Sequence, residues 1–275
     1  SEDCELTENV ALKENTTLIF KGGIIKGKYG NAYTLTGLNT CVVAPITQIF
    51  DTTVTVNGSW KIDRAYPQWF GAKANLKSFD DNANMDCTDA INNAIKMKST
   101  GEVFLPRGYY RINKTIQVKN GIVLIGEMGV HQNAGEVIRE EIRGAVLVAG
   151  AVPIGGKTAL EQYKDDFLMR INLDDNADLE VENSAPVTIV RNLRFLNTWK
   201  KIGNLKCISV GGPFELDNCY FKLFKQVVYT IKSYKPKDKD ERTSSYFDLK
   251  KIVNCTTAEA GEIDDEGKGI THSGD

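Results

Sequence analysis

Ile189-Val190-Arg191-Asn192-Leu193-Arg194-Phe195, Leu216-Asp217-Asn218-Cys219-Tyr220-Phe221 and Ile252-Val253-Asn254-Cys255-Thr256 are three versions of one phrase. Each is a β-rich run, then Asn, then Leu or Cys, and the first two close on an aromatic at the same offset. The spacings are 218−192 = 26 and 254−218 = 36, and the longer step contains an insertion, Lys232 to Ser245. Repetition at about 20–30 residues marks a solenoid, in which each coil is one supersecondary unit stacked on the next. The Asn has a physical reason. A coil that turns sharply between two strands with few residues needs one residue at positive φ, which Asn tolerates better than any residue but Gly. Stacked coils then place successive Asn amides over one another, where they can hydrogen-bond as a ladder. Asn-Cys could also be a turn signal in a sandwich, but a sandwich does not require the fixed period.

Outward from these phrases the chain stays β-rich. Short runs such as Thr17–Phe20, Val54–Val56, Val103–Leu105, Thr115–Val118, Ile122–Ile125, Ala145–Val148, Val187–Val190, Cys207–Val210 and Gln226–Ile231 are bounded by Gly, Asn, Asp or Pro, which is strand punctuation. One helix stands out. Asp86-Cys87-Thr88-Asp89 supplies N-cap chemistry and early negative charge, and Ala90, Ile91, Ala94 and Ile95 share a face before Gly101. A solenoid needs its apolar end covered, so this helix is expected to cap the first coil. Residues 6–43 alternate short apolar strands with Gly and Asn, reading as a small β-element with rough coils of its own. The predicted organisation is an all-β right-handed parallel β-helix over 64–275 with an N-terminal capping α-helix, preceded by a small β-rich element over 1–63. Gly267–Asp275 reads as the start of a further coil, so the natural chain is expected to continue past Asp275.

Composition narrows the function classes. The chain has 275 residues, 41% hydrophobic and 25% charged, with a formal net charge of −2. That is an ordinary globular balance and lacks the basic footprint of a nucleic-acid binder. Six cysteines, at 4, 41, 87, 207, 219 and 255, form no CxxC pair, so a zinc site or redox motif has no support and most read as core residues. No apolar run approaches the ~18 residues of a membrane span. The chain begins at Ser1 and shows no signal peptide, which fits a processed mature form or an excised fragment.

The stretch from Trp69 to Glu127 resembles the start of the pectate-lyase-like β-helix family. It reads Phe70-Gly71-Ala72, then Asp86-Cys87-Thr88, then Ala90-Ile91-Asn92-Asn93-Ala94-Ile95. Next come Gly101-Glu102-Val103-Phe104-Leu105-Pro106-Arg107-Gly108-Tyr109-Tyr110-Arg111-Ile112 and Ile122-Val123-Leu124-Ile125-Gly126-Glu127. The family's Asp-Gly is missing from the loop Ala74–Asn84, and Cys87 replaces its second Asp. The linker Tyr66-Pro67-Gln68-Trp69-Phe70 is similar, more loosely, to the leader of phage tail-spike-type β-helices. The resemblance implies an extracellular, cell-surface or virion-surface protein, monomeric or homotrimeric. It implies a polysaccharide lying along a groove parallel to the coil axis, and lyase or glycoside hydrolase chemistry if the protein cuts at all. The alternative is a non-catalytic, tail-spike-like or adhesive module. No cofactor is expected, except calcium if the chemistry is that of a lyase.

The chemistry itself is less legible. Hydrolysis needs a spaced carboxylate pair, and the doublets Asp80-Asp81, Asp165-Asp166, Asp174-Asp175 and Asp264-Asp265 lie in apparent loops, where neighbours do not form such a pair. The family's hydrolase signature is absent as a set; Ile270-Thr271-His272-Ser273-Gly274 echoes only one element, and His131 sits in a loop. Lyase chemistry needs a base and a cation, and Arg170, Arg191 and Arg194 fall in or beside strands. By the resemblance the groove strands are Leu168–Ile171, Cys207–Val210, Gln226–Ile231 and Gly269–His272, walled by Asn172–Ala185, Asn197–Leu205 and Lys232–Ser245. The expected carbohydrate contacts are Trp199, Lys200 and Lys201 in one wall, with Arg170 and Tyr229 on the groove strands. An exposed Trp face suits sugar stacking and its lysines suit an acidic sugar. The catalytic residues stay open, and Trp199 could equally be a packing residue.

Overall fold

The computed structural model describes residues 2–74, 86–129, 144–150, 155–171, 186–197, 202–230 and 250–258, with the short strands Glu262–Ile263 and Gly269–Ile270. Its main body is a parallel β-helix with three sheets. The chain cycles through them in fixed order: Ile116–Val118 in a first sheet, Ile122–Gly126 in a second, Ala145–Ala149 in a third, then Phe167–Ile171 back in the first. Among the described residues the first sheet also holds Lys206–Val210 and Val228–Thr230. The second runs from Arg64–Ala65 through Gly101–Leu105, Ile122–Gly126, Thr188–Arg191 and Phe214–Asp217 to Lys250–Val253. The third stacks Gly108–Ile112, Ala145–Ala149, Leu193–Leu196, Tyr220–Lys222 and Thr256–Ala258. Every pairing within these sheets is parallel.

Register converts the sequence repeat into a core. Val103, Leu124, Val190 and Leu216 stack in one buried row of the second sheet, and Tyr110, Leu147, Phe195 and Phe221 in one row of the third. Phe195 and Phe221 lie face to face, ring centroids 5.0 Å apart at 12°. Like residues stack because each coil repeats the same environment one strand spacing away.

The predicted corner is present. Asn192, Asn218 and Asn254 have φ of 57°, 52° and 53°, each between a second-sheet and a third-sheet strand. Asn218 Nδ2 donates to Asn192 Oδ1 at 2.8 Å. The Asn254 amide turns instead to Asp217 Oδ1 at 3.3 Å, so the ladder changes partner at its third rung. Asp217 pairs with Val253 despite the long insertion between the two coils. Cys87, Cys207 and Cys219 are buried, whereas Cys41 and Cys255 are half-buried and Cys4 is exposed, so the expectation that most cysteines are core residues holds for three of the six.

The N-terminal strands are coils as well. Cys4, Ile25 and Phe50 stack in parallel, as do Val10, Leu35 and Val56. Asn15 and Asn39, with φ of 60° and 50°, turn corners there too. The helix Thr88–Lys98 buries Ala90, Ile91, Ala94, Ile95 and Met97. It packs on Val54–Lys61 and Pro67–Phe70 as well as on Gly101–Leu105 and Ile116–Val118, and so lies between the N-terminal strands and the first coil. Its first turn is held by Asp86, whose Oδ1 accepts the Thr88 N–H at 2.9 Å, with Cys87 at the cap position itself. Asn92 then acts as a surrogate strand: its Oδ1 accepts the Gln117 N–H at 2.9 Å along the open edge of the first sheet. Among the described residues no helix is long and apolar enough to cross a membrane.

One expectation fails. Gly269–Ile270 does not join the first sheet; it pairs antiparallel with Glu262–Ile263. A two-residue strand following so closely on another satisfies its backbone locally, as a hairpin does.

Candidate functional site: the outer face of the first sheet

Alternation in a strand sends every second side chain outward. In the first sheet the inward rows are Ile116, Met169, Ile208 and Val228, then Val118, Ile171 and Val210. The row between them is Gln117, Arg170, Ser209 and Tyr229, one residue from each of four strands. The row therefore runs across the strands, along the coil axis.

Tyr229 is the exposed member, at 44%. Its ring lies 5.8 Å from that of Phe167, tilted by 33°. The Lys206 ammonium sits over both, 4.8 Å from the Phe167 ring centroid and 5.8 Å from that of Tyr229. A cation within about 6 Å of a ring face is attracted by its quadrupole. Among the described residues Lys206 has no carboxylate partner, so its charge is available to an anion. Phe167 is almost fully buried and forms the floor.

Arg170 is different. Only 6% exposed, it holds Asp165 through Nη2 at 3.3 Å. Asp165 stands in the turn ahead of the strand at φ 53°. The arginine thus braces the row from beneath. The other two arginines singled out by sequence lie elsewhere. Arg191 belongs to the second sheet, with Nε 2.9 Å from Asp217 Oδ2 and Nη2 3.3 Å from Glu215 Oε1. Arg194 belongs to the third sheet, over the Tyr220 ring.

Trp199, Lys200 and Lys201 lie outside the described residues, as do His131, His272, the walls 172–185 and 232–245, and the doublets at 80–81, 174–175 and 264–265. The neck of the Trp199 loop is described. Asn197 Nδ2 donates to the carbonyls of Ile202 at 3.1 Å and Leu223 at 2.9 Å, and its Oδ1 accepts the Ile202 N–H at 3.1 Å. One buried amide closes the loop at its base and ties it to the next coil.

Sequence reasoning missed Phe167, Lys206, Gln117 and Ser209. A signal existed for Lys206, the one charged residue of its strand. The strands of this sheet contribute no Asp, Glu or His. Among the described residues their outer face can stack, donate hydrogen bonds and attract anions, and the strands themselves supply no carboxylate pair for hydrolysis.

Residues 74–162 match the family model of rhamnogalacturonase A/epimerase, pectate lyase-like. No curated protein and no solved structure matches the chain.

Proposed function

We propose that this chain, whose residues 74–162 match a pectate-lyase-like family model and whose coil has three parallel sheets, is a carbohydrate-active β-helix protein that binds an acidic polysaccharide along the outer face of the first sheet. The observation that carries this reading is the Phe167–Lys206–Tyr229 cluster. It offers an exposed aromatic face to a sugar ring and an ammonium without a carboxylate partner among the described residues. The half-buried Gln117 lies on the same row along the coil axis, with Arg170 and Ser209 buried between it and Tyr229. Of the two cleavage chemistries, elimination fits this face better than hydrolysis. A lyase needs a cation to neutralise a uronate and a base, and these strands carry Lys, Arg and Tyr but no carboxylate. Such a protein would act outside the cell or on a cell or virion surface. The strands' lack of a carboxylate pair equally favours the second reading, a glycan-binding module without turnover. Affinity electrophoresis against uronic-acid and neutral polysaccharides, with ultraviolet detection of unsaturated products, separates the cases. Retention by acidic polymers supports the proposal, with absorbing products for a lyase and none for a binder. Equal migration through all of them refutes it.

A further inference from the structure

Cys219 and Cys255 occupy the same position on consecutive coils. Asp217 pairs with Val253 and Tyr220 with Thr256, so the offset of 36 is the same on both sides of the corner and sets Cys219 directly over Cys255. The Thr256 N–H donates to the Cys219 carbonyl at 2.9 Å, which holds the two backbones together at that point. Neighbouring strands lie about 4.8 Å apart, inside the ~4.4–6.8 Å that Cα atoms span across a disulfide. Each residue follows a left-handed Asn, so both side chains leave their corners in the same direction. Cys219 Sγ lies 3.5 Å from the carbonyl oxygens of Val190 and Asp217, and Cys255 Sγ 3.3 Å from that of Val253. Cys219 is buried, and Cys255 is half-exposed at the corner between Lys250–Val253 and Thr256–Ala258. Both are free thiols in this structure.

We propose that Cys219 and Cys255 form a thiol–disulfide exchange site, at which a small-molecule disulfide oxidises the pair to a covalent staple between consecutive coils. The accessible sulfur acts first. The Cys255 thiolate attacks one sulfur of the incoming disulfide and breaks its S–S bond; one half leaves as a thiolate and takes up a proton. Cys219 then gives up its proton and its sulfur attacks that of Cys255, expelling the second half as a thiol. Two protein thiols are oxidised, one external disulfide is reduced to two thiols, and the electrons balance. The adjacent Cys219 thiol draws Cys255 down to about 7, where a substantial thiolate fraction exists at neutral pH. Burial and the same contact hold Cys219 well above the ordinary thiol range, which fits it to the second, intramolecular step. The staple closes the segment that carries the insertion Lys232 to Ser245, so a chain cut within the insertion would stay joined at the corner.

The test incubates the folded chain with oxidised glutathione at pH 7, quenches with acid and maps peptides by mass spectrometry. The expected product is one peptide pair joined through Cys219 and Cys255, two hydrogens lighter than the reduced pair, with the buried Cys207 unreacted. It should form about tenfold faster than in urea, because the stacked coils hold the sulfurs together. Cys219→Ser should stop the reaction at a glutathione adduct on Cys255, and Cys255→Ser should leave Cys219 unmodified. A wild-type chain that keeps glutathione on Cys255, fails to react there, or joins its cysteines no faster folded than unfolded overturns the proposal. None of these outcomes depends on a glycan.

Discussion

Replacing Asn218 tests the coil at its most demanding point. The residue does two jobs: its backbone sits at φ 52°, and its amide donates to Asn192 Oδ1 at 2.8 Å. Three substitutions separate them. Asn218→Gly keeps the left-handed corner and loses the amide bond, a net loss of about 1 kcal/mol, with about 0.5–1 kcal/mol more from the freer unfolded chain. Asn218→Ala loses the same bond and adds about 1 kcal/mol for a Cβ in the left-handed region, giving about 2 kcal/mol. Asn218→Leu adds a branched side chain at a half-buried corner and should reach about 3 kcal/mol, the upper end of ordinary point mutants. Equilibrium urea unfolding, followed by far-ultraviolet circular dichroism, reads the order directly. With no energy in the left-handed corner, Ala would lose only about 1 kcal/mol and be better tolerated than Gly, and that outcome would refute the reasoning. If all three were silent, the corner would not be a structural element and the reading of the repeat would be wrong.

Tyr229→Ala should weaken binding of the retained polysaccharide about tenfold, or ~1.4 kcal/mol, measured by the shift in affinity electrophoresis, with unchanged circular dichroism. Lys206→Gln should erase the preference for acidic over neutral polymers and flatten the salt dependence of retention, since screening acts on the charge alone. Asn197→Ala strands the carbonyls of Ile202 and Leu223 and should cost about 2–3 kcal/mol in urea unfolding, although the residue touches no ligand. Alkali should destabilise the fold. Burial pushes the Cys87 thiol up to about 11 from an ordinary 9.0, and raises Tyr110 and Tyr163 above the ordinary 10.0. The unfolded chain releases these protons first, so the stability is present below pH 9 and falls from about 9 to 11 for Cys87 and from about 10 upward for the tyrosines, at up to ~1.4 kcal/mol per pH unit for each group. Urea midpoints that stay constant from pH 8 to 11 would contradict this.

The corners were legible because their chemistry admits few residues. A one-residue turn at positive φ selects Asn or Gly whatever surrounds it, and three Asn at a common offset give both fold and register. The same signal was present and overlooked at the N-terminus. Asn15-Thr16-Thr17-Leu18 and Asn39-Thr40-Cys41-Val42 are one phrase 24 residues apart, and Thr17 pairs with Cys41 as the offset requires. It was hidden because the strands there shift register at the irregularity between Gly37 and Thr40, which blurs the hydrophobic period. The helix was legible for a different reason: its apolar face is fixed by a 3.6-residue period, while its cap came from Asp86, one residue earlier than the cap position.

The groove face resists the same reading because burial removes the alternation that would reveal it. All five residues of Phe167–Ile171 are buried, so the sequence cannot say that Phe167 and Arg170 stand on the outer side while Met169 and Ile171 fill the coil. Only the pairing of Arg170 with Ser209, and of Ser209 with Tyr229, exposes the row. The residues of this face come from coils separated by 53, 39 and 20 positions, counted from Gln117 to Arg170, Ser209 and Tyr229. No local spacing links them, because the connections between sheets vary in length while the coil register does not. A solenoid therefore writes its fold into short repeated corners and its binding surface into positions that become neighbours only once the coils stack. Substitutions of the exposed Tyr229 and of Lys206 beside it should accordingly change ligand preference while leaving the repeat, and the urea midpoint, nearly unmoved, whereas the buried Arg170 and Ser209 should not be separable from the fold; Lys206→Gln, on the half-exposed rim, is the variant in which the two measurements should separate most clearly.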